Sequence, residues 1–292
     1  MLREERECLE LIEESGPWRF VTHRIYRHPD GTLHHWHSRL HRKGLWKTEL
    51  KDVRKLGREA LRCLWMPEKL NWWIGVIFAI GASCFLIASM LSLLPELPAW
   101  LSVLEVNALF FLGSIPFTTA AYLQLYQAAN HCEFLPSLQE QSNLRRQWFG
   151  WRPHDLGWWS CSLQFAGTLL FNINTFDAML PGLKWVQEDL LVWIPNILGS
   201  ILFLLSGYFA FIENNHCHWA WHPSSLSWWV VFTNLLGCIF FMTAAIFALA
   251  LPVQFIVHAT ALALIFTGLG AIGFLIGSLV MLPETLLVEE DQ

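Results

Sequence analysis

The chain has 292 residues, of which 54% are hydrophobic and 15% are charged, with a formal net charge of −5. This charged fraction lies well below the roughly 25% of soluble globular chains, and it excludes a soluble α/β enzyme, a disordered protein and a nucleic-acid binder built on basic patches. Fifteen of the nineteen Lys and Arg precede Trp72. The sequence therefore predicts a polytopic membrane protein with a charged amino-terminal head.

Residues 1–66 are predicted to form a small cytoplasmic head that contains both helix and strand. Its predicted elements are, in chain order, a helix over about 3–15, strand-like runs over 18–27 and 32–40, and a helix over about 46–65. The first helix should end at Gly16-Pro17, because Gly favours a helix end and Pro cannot continue the helix. Pro29-Asp30-Gly31 lies between the two runs and predicts a turn, because Gly tolerates positive φ.

Histidine and cationic residues are concentrated in this head. Six of the twelve histidines lie there, at His23, His28, His34, His35, His37 and His41, interleaved with Arg24, Arg27, Arg39, Arg42 and Lys43. Imidazole binds metals and titrates near neutrality, so one interpretation is a metal or pH sensor. The other is a basic surface that lies against anionic lipid headgroups. We favour the lipid surface, because a metal site needs three or four converging ligands that spacing alone does not show.

Six apolar stretches follow the head, near 72–94, 101–126, 158–180, 190–212, 228–251 and 259–282. Each has about 20 residues, which is enough to cross ~30 Å of hydrocarbon as a helix. The connection between the second and third stretches carries Arg145, Arg146 and Arg152, whereas the short connections after the first, third and fifth stretches hold one Lys and no Arg. The positive-inside bias therefore predicts that both termini are cytoplasmic.

An internal repeat organises these stretches. The pattern W-x-P-x-x-L-x-W-W, followed by seven residues and then Gly-small-x-x-Phe, begins at Trp65, Trp151 and Trp221. The even-numbered stretches keep only the Gly-small-x-x-Phe part. Gly followed by a small residue lets a neighbouring helix approach closely, and Phe four residues later lies on the same helix face. The predicted helix-packing glycines are Gly81, Gly113, Gly167, Gly199, Gly237 and Gly270.

This repeat predicts the fold class. The chain is expected to be an all-α membrane protein whose six transmembrane helices form three tandem, parallel two-helix repeats around a pseudo-three-fold axis, with a small cytoplasmic α+β region at the amino terminus. The predicted division is 1–66 for the head, 67–126, 153–212 and 223–283 for the three hairpins, 127–152 and 213–222 for the cytoplasmic loops, and 284–292 for an acidic tail.

Two segments resemble a known family. Phe-Phe-Leu-Gly-Ser-Ile-Pro-Phe at 110–117 and Asn-Ile-Leu-Gly-Ser-Ile-Leu-Phe at 196–203 are similar to the two-span unit of the YrhK-like membrane domain. The resemblance covers residues 67–283 as tandem copies and does not reach the head. It implies a multi-pass protein of the bacterial inner membrane, and it brings no assigned activity and no functional residues.

A polar stripe runs along the third predicted span. At 100° per residue, Gln164, Asn174 and Asp177 share a face with Gly167, and Asn196 and Asn234 precede their glycines by three residues, as Gln164 does. The stripe either lines a permeation or binding site, or supplies interhelical hydrogen bonds worth about 0.6 kcal/mol each. In the first case Asp177 would join Glu105, Glu188 and Asp189 in an acidic outer mouth that attracts cations. We favour the second.

A His-Cys pair occurs at the cytoplasmic ends of two even-numbered spans. His131-Cys132 follows the second span, and His216-Cys217-His218 follows the fourth. If the repeats superpose, these side chains lie at similar depth and could provide the tetrahedral ligand set of Zn²⁺. The third hairpin lacks the pair, so we expect no cofactor and keep Zn²⁺ as the alternative.

The sequence contains no nucleophile elbow, P-loop, dinucleotide fingerprint or HExxH motif. We therefore expect a protein that is not an enzyme and has no catalytic residues. Its expected role is structural or interactive, in a lipid bilayer, with a second copy or a membrane partner and without nucleic acid. One alternative is a transporter or channel for a small solute or cation, and another is a metal-dependent sensor or redox protein.

Overall fold

The computed structural model describes residues 10–45, 62–131, 146–248 and 256–286. The described chain is mostly helical, with a small sheet near its amino terminus. Strands β1 (Glu10–Ser15), β2 (His23–Arg27) and β3 (Leu33–His37) pair antiparallel in that order, and the short helix α1 (Ser38–Arg42) follows β3 directly. The remaining helices are α2 (Leu70–Ser92), α3 (Val103–Asn130), α4 (Leu156–Asp177), α5 (Trp185–Glu188), α6 (Ile194–Asn215), α7 (Leu226–Phe247) and α8 (Ile256–Leu286).

The predicted turn between β2 and β3 is confirmed. Asp30 Oδ1 accepts hydrogen bonds from the backbone N–H and the hydroxyl of Thr32, at 2.8 and 2.6 Å. Gly31 has φ +85°, a conformation that Gly adopts without the strain of a Cβ. The turn sets a register in which His23 pairs with His37 and Ile25 with His35, so that three histidines lie on one part of the sheet.

The helix predicted over about 3–15 is wrong for residues 10–15, which form strand β1. Arg24 and Arg27 of β2 reach Glu14 and Glu10 of β1 at 2.8 and 3.3 Å. Pairing with β2 therefore outweighs the helix propensity of a Glu-rich segment, which is a weak prior at best. Residues 3–9 lie outside the described residues. So does most of the helix predicted over 46–65, of which Arg62–Leu64 forms a 3₁₀ turn.

Five helical segments are long and apolar enough to cross a membrane: Leu70–Ser92, Val103–Asn130, Trp185–Asn215, Leu226–Phe247 and His258–Thr285. The third of these joins α5 to α6 through a π-helical turn at Asp189–Trp193. Helix α4 corresponds to the third predicted span and has 22 residues, but it is not among the five. Its polar residues include Ser160, Gln164, Asn172 and Asn174, which lower its hydropathy.

The repeated tryptophans hold the starts of three helices. The indole of the second Trp of each pair donates to the carbonyl of the Pro six residues earlier. These bonds are Trp73 to Pro67 (2.9 Å), Trp159 to Pro153 (3.1 Å) and Trp229 to Pro223 (2.9 Å). The first Trp of each pair is buried and donates to a carbonyl farther upstream, namely Trp72 to Cys63, Trp158 to Gly150 and Trp228 to Ala220. The motif thus folds the chain before each helix back onto its first turn.

Six helices pack into a closed ring. Each of α2, α3, α4, α6, α7 and α8 packs against its neighbours in chain order, and α8 returns to α2. Within each hairpin the two glycines lie at the closest approach. A Cβ on Gly81, Gly167 or Gly237 would stand 2.7 or 2.8 Å from Phe117, Phe203 or Phe274, respectively. The sheet and α1 lie at one end of the ring, which we call the head end, and the opposite end is the far end.

Candidate functional site

Six phenylalanines fill the centre of the ring and are all buried: Phe85, Phe117, Phe171, Phe203, Phe241 and Phe274. They form two layers. In the layer toward the far end, Phe241 contacts Phe85 and Phe171 at ring-centroid distances of 6.0 and 5.8 Å. In the layer toward the head end, Phe274 contacts Phe117 and Phe203 at 5.5 and 5.9 Å. We call this set the phenylalanine barrier.

A cavity lies on each side of the barrier. The head-end chamber has a volume of about 60 Å³, and its polar lining consists of Arg39, Arg42, Lys43, Gln124, Ser160, Cys161, Gln164, Asn234 and Ser278. The far-end cavity has a volume of about 190 Å³, and its polar lining consists of Asn107, Asn174, Thr175, Asn196 and Thr267. Within the described parts of the chain, the far-end lining has no charged residue, whereas the head-end lining includes three cations.

The repeat places one residue of each span in a cavity lining, at the position three residues before the packing glycine. On the odd-numbered predicted spans it is held by Phe78, Gln164 and Asn234, and all three line the head-end chamber. On the even-numbered spans it is held by Phe110, Asn196 and Thr267, and all three line the far-end cavity. The spacing that brings glycines together therefore also points the preceding residues toward the axis.

The predicted polar stripe is divided between the two cavities. Gln164 is 7% exposed and has no hydrogen-bond partner within the described parts of the chain. Asn174 lines the far-end cavity and donates to the carbonyl of Val192 at 3.1 Å. Asp177 ends α4 and lines neither cavity. Of the predicted outer mouth, Glu105 caps α3 by accepting from Ser102.

The head inserts cations into the ring at its head end. Arg42 donates to Glu213 at 2.7 Å, and Lys43 donates to Glu284 at 2.8 Å. Arg39 also pairs with Glu284. All five side chains are buried. Such pairs are stable only when the remaining polar atoms are bonded too, and Ser38 and Ser227 supply further bonds to Glu213 and Glu284 at 2.8 and 2.6 Å.

The head reaches all three predicted hairpins through equivalent positions. Gln127, Glu213 and Glu284 each lie fourteen residues after Gly113, Gly199 and Gly270. Asn71, Gly157 and Ser227 each precede the first Trp of a pair. Gln127 donates to Asn71, which in turn donates to the carbonyl of Lys43. A Cβ at Gly157 would collide with Arg42 and Glu213, so only Gly leaves room for this guanidinium.

Burial and neighbouring charge set the protonation of the inserted cations. Burial and the charge of Arg39 lower the pKa of Lys43 to about 8, although Glu284 opposes this. Burial also lowers the pKa of Arg42, but the adjacent Glu213 outweighs it and raises that pKa above its ordinary value. Glu284 thus pairs with two cations, Arg39 and Lys43, whereas Glu213 pairs with Arg42.

Four imidazoles meet where the sheet touches the end of α6. His37 Nδ1 lies 2.8 Å from His216 Nε2, and His23 Nε2 lies 3.3 Å from His35 Nδ1. The ring centroid of His23 is 4.7 Å from that of His37 and 5.3 Å from that of His216. Burial and the neighbouring histidines lower the pKa of His37 to about 3 and that of His216 to about 4.

The residues predicted for Zn²⁺ are drawn to other partners. His131 Nε2 lies 3.3 Å from Asp155, and His216 bonds to His37 and Thr22. His218 Nδ1 lies 2.9 Å from the Tyr208 hydroxyl, and the Cys217 thiol donates to the carbonyl of Trp219. Cys132 lies outside the described residues. Among the residues that the structure describes, no three His, Cys, Asp or Glu are placed to hold a metal ion.

Two sequence interpretations need correction. Arg39, Arg42 and Lys43 do not form a lipid-facing surface, because they are buried in ion pairs at the head end. Glu213 and Glu284 were assigned to a loop and to the acidic tail, but they belong to α6 and α8 and are buried there. Their common spacing from the repeat glycines was the sequence signal that could have placed them together.

No family model, curated protein or solved structure matches this chain. The resemblance to the YrhK-like membrane domain therefore remains a prediction that rests on the Gly-Ser-x-x-Phe segments.

Proposed function

We propose that this chain is a six-span protein of the bacterial inner membrane that conducts a small polar solute or ion along the axis of its helix ring, seen here in a closed state. The observation that carries this proposal is a pair of polar-lined cavities on one axis, separated by the phenylalanine barrier. An apolar constriction between wet cavities closes a pore because water does not fill it.

Helix α4 is the sixth span in this proposal. Its 22 residues give a length of about 33 Å, which matches the hydrocarbon thickness. It packs in the ring between α3 and α6, and its buried polar residues include Ser160, Gln164 and Asn174. A polar helix is tolerated in a bilayer when its polar groups face a cavity or neighbouring helices, so its lower hydropathy is compatible with spanning.

The head is the cytoplasmic gate. The positive charge of the amino-terminal region and of Arg145, Arg146 and Arg152 favours the cytoplasm for the head end and for both termini. Arg39, Arg42 and Lys43 line the chamber and also hold the head onto α6 and α8. In this proposal, solute passes between the chamber and the cytoplasm when these contacts rearrange.

The structural role that we favoured from the sequence is the competing proposal. It accounts for Asn174, Asn172 and Thr175, which bond to Val192, Thr118 and Ser114 on other segments. It does not account for Gln164, which lines the head-end chamber and has no hydrogen-bond partner among the described residues. An amide that faces a cavity can both donate to and accept from a guest there, so its position favours a role toward a solute.

The test is flux through purified protein in liposomes. Wild type would be compared with the variant Phe241→Ala/Phe274→Ala, which shortens one barrier residue in each layer, and with Phe240→Ala, whose side chain instead contacts Phe266. Chloride, nitrate, potassium and glycerol would be assayed separately. We expect the double variant to raise the flux of at least one solute tenfold or more, and Phe240→Ala to remain at the wild-type rate.

Folding of each variant would be checked by gel filtration in detergent before reconstitution. If both variants are folded and no solute moves faster than through protein-free liposomes, the conduction proposal is wrong and the structural role stands. Equal stimulation by Phe240→Ala would point to a general leak through a loosened bundle and would also contradict the proposal.

A further inference from the structure

The head-end chamber is lined by hydrogen-bond donors of one charge sign. Among the residues that the structure describes, its charged lining residues are Arg39, Arg42 and Lys43, and none of the described carboxylates is part of the lining. Glu213 and Glu284 bond to these cations but are not part of the chamber wall. Guanidinium and ammonium groups donate hydrogen bonds and accept none, so this end of the chamber offers only donors.

One guanidinium nitrogen of Arg42 donates to a weak acceptor. Arg42 Nε and Nη2 donate to Glu213 at 3.4 and 2.7 Å, whereas the partner of Nη1 is the Cys161 thiol at 3.5 Å. A thiol sulfur is a weak acceptor. Both Arg42 and Cys161 line the chamber, and a stronger acceptor there could replace the thiol as the partner of Nη1.

The lining of the chamber also includes three amides, from Gln124, Gln164 and Asn234. Gln164 is more than nine-tenths buried and has no hydrogen-bond partner in the described ranges of the chain. A carboxamide can turn its NH₂ group toward a negative guest. The rest of the wall is mostly apolar and includes Phe78 and Phe274.

We propose that the head-end chamber is a binding site for a small monovalent anion, held between Arg42 and the amide of Gln164. This inference deepens the proposed function by naming the class of solute, and it rests on that function only for the claim that the anion moves through the protein. It reverses the preference for cations that an acidic outer mouth suggested.

The charge of the chamber wall favours an anion over a cation. Arg39, Arg42 and Lys43 line the chamber, whereas the carboxylates that pair with them, Glu213 and Glu284, are not part of the described lining. Asp155 also acts electrostatically on Arg42, and it too is outside that lining. An anion in the chamber therefore meets the three cations of the wall and none of these carboxylates.

The volume limits the size of the ion. The chamber has a volume of about 60 Å³, well below the roughly 150 Å³ of an engineered cavity that binds benzene. A dehydrated halide or nitrate is of the right size, and an organic acid such as gluconate is too large. The proposed ligands are therefore chloride, bromide and nitrate, with donors replacing their water shell.

The first experiment measures binding without transport. Full-length protein in detergent would be kept at constant ionic strength in sodium gluconate and titrated with sodium chloride, bromide or nitrate, with thermal unfolding as the readout. We expect the small anions to raise Tm by several degrees and gluconate to have no effect. Replacing sodium by potassium or choline should leave Tm unchanged.

Variants locate the site. Gln164→Leu should weaken the anion effect at least tenfold, as should Asn234→Leu as a second variant in case the first fails to fold. Asn174→Leu is the matched control, because Asn174 lies on the same helix but lines the far-end cavity, and it should bind as wild type does. Anion stabilisation that is the same in all folded variants, or absent from wild type, would overturn the inference.

Flux separates this inference from the proposed function. Specific anion binding without any flux in Phe241→Ala/Phe274→Ala would retain the binding site and remove the conduction proposal. Flux of potassium rather than chloride in that variant, together with no binding in detergent, would retain conduction and refute the anion site. Chloride flux that Gln164→Leu abolishes would support both.

Discussion

The two cavities are built by the same helices and the same repeat, yet their chemistry differs. The far-end cavity is lined by neutral amides and hydroxyls, and its Asn107 and Asn174 donate to backbone carbonyls of nearby segments. The head-end chamber is lined by three cations that come from outside the ring and by an amide without a partner among the described residues. The comparison teaches that a repeated Gly and Phe framework sets the positions of the cavities, whereas residues outside the repeat set their charge.

The largest effect should come from removing the carboxylate that Arg39 and Lys43 share. Glu284→Gln leaves two buried cations with a neutral partner, and breaking a buried ion pair costs about 3–5 kcal/mol. We expect a correspondingly lower free energy of unfolding, measured by thermal or SDS denaturation in detergent. The control is Glu105→Gln at the exposed start of α3, which should change stability far less; equal losses would show that the head-end pairs contribute nothing special.

A second effect concerns the framework that separates the cavities. A Cβ at Gly167 would lie 2.7 Å from Phe203 and 3.1 Å from the carbonyl of Gly199. Gly167→Ala should therefore destabilise by about 1–3 kcal/mol, which is typical of overpacking. At Gly268 the nearest atom to an added Cβ is that of Ser89 at 3.5 Å, so Gly268→Ala should be neutral or stabilising. Thermal unfolding of both variants would decide, and an equal loss at Gly268 would contradict close packing at Gly167.

A third effect is a pH dependence confined to the head end. Burial and neighbouring imidazoles lower the pKa of His37 to about 3 and that of His216 to about 4, below the ordinary 6.5 that both regain when the head is released. Between pH 6.5 and about 4 the released head therefore binds more protons than the docked head. Packing of the head against the helix ring is therefore most stable above pH 6.5, and its stability falls as the pH falls.

Between pH 7.5 and 5.5, protonation of each of these two histidines should lower the equilibrium constant for packing of the head against the ring about tenfold. His23 and His35 on the sheet add repulsion to the protonated forms, whereas Glu213 on α6 stabilises them. Hydrogen exchange of residues 38–43 at the two pH values would measure it. His37→Asn/His216→Asn should flatten the dependence, while His222→Asn, in an exposed position, should retain it. A dependence that survives the double variant would place the titrating groups elsewhere.

The smallest effect should distinguish the amides of the two cavities. Asn174→Leu removes the bond to the Val192 carbonyl and should cost about 0.6 kcal/mol, as interhelical bonds in membranes do on average. Gln164→Leu removes no hydrogen bond among the described residues and should leave stability unchanged or slightly higher. The two variants would be unfolded side by side; a larger loss for Gln164→Leu would show that its amide is structural.

Much of the helical part of the fold could be predicted from the sequence. Five of the six predicted apolar spans and the turn at Asp30-Gly31 follow from local composition and φ preference, and the structure contains them. The strand at Glu10–Ser15 could not be predicted, because a Glu-rich segment favours a helix unless a neighbouring strand offers backbone partners and Arg24 and Arg27 offer counter-charges. Local propensity does not contain that information.

Only some residues of the candidate site could be predicted from the sequence. Gln164 and Asn234 stood out because polar residues in apolar spans are rare, and both line the head-end chamber. Glu213 and Glu284 could not be recognised as site residues in this way. Each lies near the end of an apolar stretch, where an acidic residue is ordinarily solvated. Their burial depends on Arg39, Arg42 and Lys43, which are distant in sequence.

The sequence by itself determined which segments are long apolar helices and where Gly and Phe recur along them. Apolar length and residue size act locally, so they can be read from one chain. Only the tertiary structure decided that the head packs against one end of the helix ring. It also decided that His37 contacts His216, which lies 179 residues away in the sequence. Charge pairing and imidazole contacts depend on which distant surfaces meet, and that is fixed by packing of the whole molecule.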